Sequence, residues 1–206
     1  MNIETTVEKS RTASLKETIA SSMSYEEYRI LVAEKVASKS STGPNQSEAY
    51  VNYTKLSDAR MRRLDKTIKI SKALNNAALN YDKKVTWLIL TESWCGDAAQ
   101  SMPVFHKIEQ LNSNIKVKVA LRDDNIETMQ YFLTNGGMSI PKLVAIDEIT
   151  NKVIGEWGPR PTVATKMVSD YKAEHGMLTP AFKQDLQVWY TKDKATSIME
   201  DALELL

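Results

Sequence analysis

The residue best suited to chemistry in this chain is its single cysteine, Cys95. It follows an apolar run at residues 85–90, which predicts a strand buried on both faces, and it precedes a stretch with a helical pattern. A cysteine where a helix begins lies near unpaired backbone N–H groups and the positive end of the helix dipole. Both stabilise the thiolate, which is the nucleophilic form. The carboxylate of Asp97 would oppose the thiolate, and the sequence leaves open which effect prevails.

Four segments around Cys95 resemble the thioredoxins. Residues 94–98, with the sequence WCGDA, resemble the WCGPC motif of that family, and Pro103 matches the proline that follows the motif in the helix. Residues 137–144 resemble the segment that carries the family's cis-proline, and residues 153–155 resemble the end of its last strand. The matches occur in the family's order over about residues 85–175. The resemblance implies a thioredoxin-like α/β fold with a cis bond before Pro141.

The resemblance also assigns roles to individual residues. Cys95 matches the attacking thiol of thioredoxins and is therefore the expected catalytic residue. The positions that match the family's substrate-binding surface are Trp94, Gly96, Asp97, Ile140 and Pro141. The last two belong to the loop that faces the thiol, where a substrate chain pairs with the backbone of the residue before the proline.

Two departures from the thioredoxin pattern limit what the cysteine can do. Ala98 replaces the second cysteine, which in dithiol enzymes attacks the mixed disulfide and releases the substrate. Ile89 stands where thioredoxins often bury an aspartate that transfers protons. We therefore expect insulin-type disulfide reduction, driven by thioredoxin reductase, to be nearly absent.

Two functions remain open at this point. In the first, Cys95 acts as a monothiol that forms a mixed disulfide or a sulfenic acid, and an external thiol resolves it. This pattern is loosely similar to monothiol glutaredoxins, some of which hold iron–sulfur clusters with glutathione. No cofactor is required in this interpretation, and glutathione is the one that would fit. In the second, the domain binds proteins without catalysis, and the groove near Pro141 holds an extended peptide.

The elements that position the cysteine are predicted from the hydrophobic pattern. Residues 85–175 follow the order β-α-β-α-β-β-α, which predicts a mixed four-stranded sheet flanked by helices. A long helix is predicted over about residues 46–79, which contain no glycine or proline. The predicted domains are a flexible tail at 1–22, a helical hairpin extension at 23–82, the thioredoxin-like domain at 83–176, and C-terminal helices packed on it at 177–206.

Composition and charge restrict the partners. The chain has 206 residues and a net charge of +1, so it lacks the strong field that favours nucleic acid or an anionic membrane. No stretch reaches the run of about 18 apolar residues that a membrane span needs. A single cysteine cannot form an intramolecular disulfide, which favours the cytoplasm. The expected partners are protein or low-molecular-weight thiols and disulfides. No metal site is predicted, and the apolar faces of the N-terminal helices would allow a homodimer.

Overall fold

The structure is a computed structural model that describes residues 3–206, with side-chain surroundings from residue 7 onward. Its strands are β1 (Val85–Thr91), β2 (Ile115–Leu121), β3 (Lys142–Asp147) and β4 (Val153–Trp157). They form one sheet in the order β2-β1-β3-β4. Strand β1 is parallel to β2 and antiparallel to β3, and β4 is antiparallel to β3. The sheet confirms the predicted mixed α/β architecture.

Helices flank this sheet. Those before the first strand are α1 (Ile3–Ser21), α2 (Tyr25–Ala37), α3 (Glu48–Thr67) and α4 (Lys72–Asn80). Those between strands are α5 (Ala98–Glu109) and α6 (Ile126–Gln130). Those after the last strand are α7 (Thr162–His175), α8 (Pro180–Asp193) and α9 (Thr196–Leu203). Within residues 3–206, no helix combines the length and the apolar character needed to cross a bilayer.

Strand β1 lies at the centre of the molecule. All seven of its residues are buried, because neighbouring strands cover its two edges and helices cover its faces. Trp87 at its middle makes an edge-to-face contact with Phe105 of α5, with ring centroids 5.7 Å apart. The strand's end and the beginning of α5 are therefore both anchored in the core. This anchoring fixes the position of the connecting segment that carries Cys95.

Residues 3–21 form α1, where the sequence predicted a flexible tail over 1–22. Leu15 and Thr18 of this helix are buried. The hydroxyl of Thr18 forms a hydrogen bond with that of Thr128 in α6, with the oxygens 2.8 Å apart. Such hydroxyl contacts between distant segments leave no periodic pattern in the sequence, so the polar composition was misleading. The part of this prediction that concerns residues 1 and 2 lies outside the described residues.

The long helix predicted over about residues 46–79 is two helices, α3 and α4. Helix α4 begins after Ser71, whose side chain accepts a hydrogen bond from the backbone N–H of Leu74 at 3.2 Å. The N-terminal extension therefore contains three helices between residues 23 and 82 rather than a hairpin of two. The domain boundaries proposed from the sequence remain predictions.

The N-terminal helices also contribute to the sheet edge. The backbone of Met23 pairs with that of Val119 in β2 through two hydrogen bonds of 2.9 and 2.8 Å. Helix α2 follows directly, with the capping box that Ser24 and Glu27 predict. The open edge of β2 is thus partly covered, and the N-terminal segment is tied to the sheet that positions the cysteine.

Candidate functional site

Cys95 lies in the short connection between β1 and α5. Its backbone N–H donates to the carbonyl of Glu92 at 3.0 Å, which closes a turn directly after the strand. The backbone N–H of Ala98, the first residue of α5, points at the Cys95 sulfur with a separation of 3.5 Å. The sulfur is therefore at the amino end of the helix, as the sequence predicts.

The sulfur faces the loop before β3. The Cys95 thiol donates a hydrogen bond to the carbonyl oxygen of Ile140, with Sγ and O 3.4 Å apart. The bond between Ile140 and Pro141 is cis, as the resemblance implied. The structure thus brings Cys95 together with Ile140 and Pro141, which follow it in the sequence by 45 and 46 positions. The predicted catalytic and substrate-binding roles of these residues remain predictions.

Burial has the largest effect on the pKa of the Cys95 thiol. Cys95 is only 6% exposed. Burial, followed by the negative charge of Asp97, raises the pKa of the Cys95 thiol to about 12. The helix N–H groups and the charge of Arg160 act in the opposite direction but are outweighed. The sulfur is therefore buried, and the competition that the sequence left open between the helix end and Asp97 is decided against the thiolate.

Asp97 is the centre of a buried polar cluster beside the thiol. Its Oδ2 atom is 2.8 Å from the Arg160 guanidinium, in the turn between β4 and α7. Its Oδ1 atom accepts a hydrogen bond of 3.1 Å from the hydroxyl of Tyr190 in α8. Burial raises the pKa of Asp97 despite the opposing effect of Arg160. Tyr190, which the sequence analysis did not identify, closes the site from the C-terminal part of the chain.

The other two predicted site residues lie on the outer side of the motif. Trp94 packs against Tyr50 of α3, with ring centroids 4.7 Å apart, and the Arg122 guanidinium lies 5.3 Å from the Trp94 ring centroid. Gly96 lies under α3 and α8. A Cβ atom at this position would be 3.2 Å from Nη1 of Arg60 and 3.5 Å from Nε2 of Gln187. Residues 94–98, which we call the thiol motif, are therefore enclosed by helices that precede and follow the sheet in the sequence.

Comparison with known proteins decides the family. Residues 43–172, more than half of the chain, match a family model described as Thioredoxin. The chain belongs to the thioredoxin family. The match begins at residue 43 and so includes α3, which the motif resemblance did not cover. No match is found among curated proteins.

Two solved structures are similar to this thioredoxin family member in fold. One is a protein of unknown function from Pseudomonas aeruginosa, with 17% identity and a TM-score of 0.57, covering 89% of this chain and 96% of that chain. The other is an HIV epitope scaffold, with 16% identity and a TM-score of 0.54, covering 89% of this chain and 97% of that chain. At such identities the likeness concerns the fold alone.

The two residues that depart from the thioredoxin pattern, Ala98 and Ile89, are both buried in the core. Ala98, at the position of the second cysteine, is fully buried against the core. Ile89, at the position of the family's buried aspartate, pairs with Val119 and Leu143 in the neighbouring strands. Within this chain, no second thiol exists to resolve a mixed disulfide on Cys95.

A buried carboxylate that the sequence analysis missed lies three residues before the cysteine. Glu92 accepts a hydrogen bond from the hydroxyl of Thr42 and another, of 2.9 Å, from the backbone N–H of Asp123. Its carbonyl accepts a third bond of 3.1 Å from the hydroxyl of Tyr28. Burial raises the pKa of Glu92, although the hydrogen bonds partly oppose this. Glu92 thus joins the N-terminal segments to the thiol motif.

The raised pKa of Glu92 predicts that the free energy of unfolding depends on pH. Because its folded pKa is raised above the ordinary value of 4.5, its contribution to stability is fully present below that pH and is lost as the pH rises through the folded pKa. Glutamine mimics the protonated carboxyl. We therefore expect Glu92→Gln to gain unfolding free energy relative to wild type as the pH is raised from about 4 to about 8. Urea unfolding at both pH values measures this, with the exposed Glu127→Gln as control. A pH-independent difference between Glu92→Gln and wild type would contradict the assignment.

Proposed function

We propose that this protein acts as a monothiol in thiol–disulfide exchange, with Cys95 as the reacting group. The observation that carries the proposal is the placement of the Cys95 sulfur 3.4 Å from the carbonyl oxygen of Ile140, beside Pro141. In the thioredoxin family this is the place where a thiol meets the backbone of its substrate. Family membership supports the same chemistry.

The proposed reaction has two steps and requires an external thiol. The Cys95 thiolate, formed by loss of its proton to solvent, attacks one sulfur of an external disulfide. The disulfide bond breaks, a mixed disulfide forms on Cys95, and the other half leaves as a thiolate. A second external thiolate then attacks the mixed disulfide and releases Cys95. Because Ala98 replaces the resolving cysteine, the chain itself cannot perform this last step.

The buried conformation makes the first step slow. The thiol pKa of about 12 leaves few thiolates at neutral pH, and Cys95 is only 6% exposed. Reaction therefore requires the groups that bury the sulfur to move, and neutralisation of the Asp97 charge would assist it. The proposed partners are low-molecular-weight or protein disulfides of the cytoplasm.

A glutathione exchange experiment tests the proposal. We expect folded protein incubated with oxidised glutathione to gain the mass of one glutathione per chain, and to lose it on addition of dithiothreitol. Cys95→Ser should gain nothing, and insulin reduction should be nearly absent for both proteins. If wild type forms no adduct in its folded state but does so after unfolding in urea, the monothiol function is wrong.

A second candidate function is favoured by the burial of the same sulfur. A thiol that is 6% exposed, with a raised pKa, has the character of a packed core residue. In that case the domain is a non-catalytic binding module, and the groove near Pro141 holds an extended peptide. Absence of the glutathione adduct, together with an alkylation profile that rises only at strongly alkaline pH, would favour this function.

A further inference from the structure

The two edge strands of the sheet, β2 and β4, differ in how they are protected. An unpaired edge can add a strand from another chain, so proteins usually block it. At the β2 edge, the backbone of Met23 already pairs with that of Val119. Two copies paired antiparallel around Val117 would also set Lys116 against Lys118. The β2 edge is therefore partly covered, and its charges oppose self-association.

The β4 edge lacks such a cover. Strand β4 pairs with β3 on one side. In the part of the chain that the structure describes, no segment other than β3 forms a hydrogen bond with the backbone of residues 153–156. Ile154 is an extra residue between the paired positions Val153 and Gly155, which makes a β-bulge. Its side chain is 48% exposed, so this edge presents both an open backbone and an apolar side chain.

The exposed residues of β4 form a self-complementary pattern. Lys152, directly before the strand, and Ile154 and Glu156 within it are exposed, whereas Val153 and Trp157 pack against the core. The exposed positions thus alternate with the packed ones and share one face. In a second copy paired antiparallel around Ile154, each Lys152 lies opposite Glu156 of the other copy, and the two Ile154 side chains meet. Such charged and apolar cross-strand pairs stabilise a sheet.

The charges favour this register over its neighbour. Pairing around Gly155 would set Ile154 against Glu156, which matches an apolar side chain with a carboxylate. The carboxylate of Glu156 remains able to accept a further partner, because only its Oε2 atom contacts the ammonium of Lys142, at 2.8 Å, and a carboxylate has two acceptor oxygens. The pattern of the edge therefore selects pairing around Ile154.

We propose that the β4 edge is a homodimer interface, at which a second copy of this chain pairs antiparallel around Ile154 and joins the two sheets. The two-fold arrangement uses both β4 edges, so the assembly is closed. The interface lies at the sheet edge rather than at the N-terminal helices, where Tyr25, Tyr28 and Val32 of α2 are buried. Because the strand is short and bulged, the paired surface is small, and we expect a dissociation constant of about 100 μM.

Sedimentation velocity over a range from about 10 μM to about 1 mM tests the dimer. We expect the sedimentation coefficient of wild type to rise with concentration. Lys152→Glu creates two like-charged pairs across the interface and should weaken association about tenfold or more. Glu156→Lys should have the same effect. The control Lys192→Glu reverses an exposed charge on α8 and should leave association unchanged.

An equimolar mixture of the two charge variants tests the register. In a heterodimer of Lys152→Glu with Glu156→Lys, positions 152 and 156 again carry opposite charges, so the mixture should associate about as tightly as wild type. Thermal midpoints check that both variants are folded. If loss of the Lys142 partner unfolds Glu156→Lys, Glu156→Gln replaces it, and the mixture should still associate more tightly than either variant alone. A wild type that stays monomeric at about 1 mM, or a mixture that associates no better than its components, would overturn the inference.

Discussion

Asp97→Asn is expected to lower the pKa of the Cys95 thiol by at least about one unit, which corresponds to about 1.4 kcal/mol. The negative charge of Asp97 raises the thiol pKa, whereas Arg160 lowers it. The substitution removes the first charge and leaves the second without a partner. Below the pKa, one unit raises the thiolate fraction about tenfold while the intrinsic nucleophilicity falls. The alkylation rate near neutral pH should therefore rise about threefold or more.

The measurement is the rate of iodoacetamide reaction with Cys95 across neutral and alkaline pH. Asp185→Asn is the matched control, since it removes an exposed carboxylate from α8, the helix that carries Tyr190. Arg160→Gln separates the effect of charge on the thiol from an increase in its exposure. Loss of the Arg160 charge alone slows the reaction, because that charge lowers the thiol pKa, whereas increased exposure of the sulfur accelerates it. An alkylation profile of Asp97→Asn that is identical to wild type would show that Asp97 does not control the thiol.

Gly158→Ala is expected to be strongly destabilising, by about 3 kcal/mol of unfolding free energy. A Cβ atom at Gly158 would lie 2.1 Å from the carbonyl oxygen of Pro141, and the Gly158 backbone has a φ of +115°. A side chain is strained at this φ, and the clash is with backbone that cannot rotate away. Relief of the clash would move Pro141, so the loop that faces the Cys95 sulfur should also shift.

Urea unfolding measures this effect against Gly137→Ala. Gly137 lies in the same loop before Pro141, but a Cβ there would meet only ordinary contacts, the nearest at 3.6 Å. Gly137→Ala should change the unfolding free energy by less than about 0.5 kcal/mol. Wild-type stability in Gly158→Ala would mean that the turn and the Pro141 loop are not held as closely as the structure describes.

Local patterns were sufficient to predict much of the fold. The continuous apolar run that begins at Val85 predicts the central strand, because only a strand buried on both faces tolerates such a run. The capping spacing of Ser24 and Glu27 predicts the beginning of α2. Asp124 and Glu127 have the same spacing, which predicts a helix that begins after Asp124, but α6 begins after Asn125 without a side-chain cap. A capping pattern is therefore neither required for a helix nor sufficient to fix its first residue, because tertiary contacts also stabilise helix ends.

The sequence by itself determined the mixed sheet, the position of Cys95 between a strand and a helix, and the lack of a second thiol. All three depend on near neighbours in the chain or on residue identity. Only the tertiary structure decided the exposure of the Cys95 sulfur and the pKa of its thiol. Its burial, and the closure of the Asp97 cluster by Tyr190 from 93 residues away, depend on which distant helices pack over the motif. The field of the helix end is local and visible in the sequence. Desolvation depends on everything that surrounds the sulfur, and in this structure it is the larger effect.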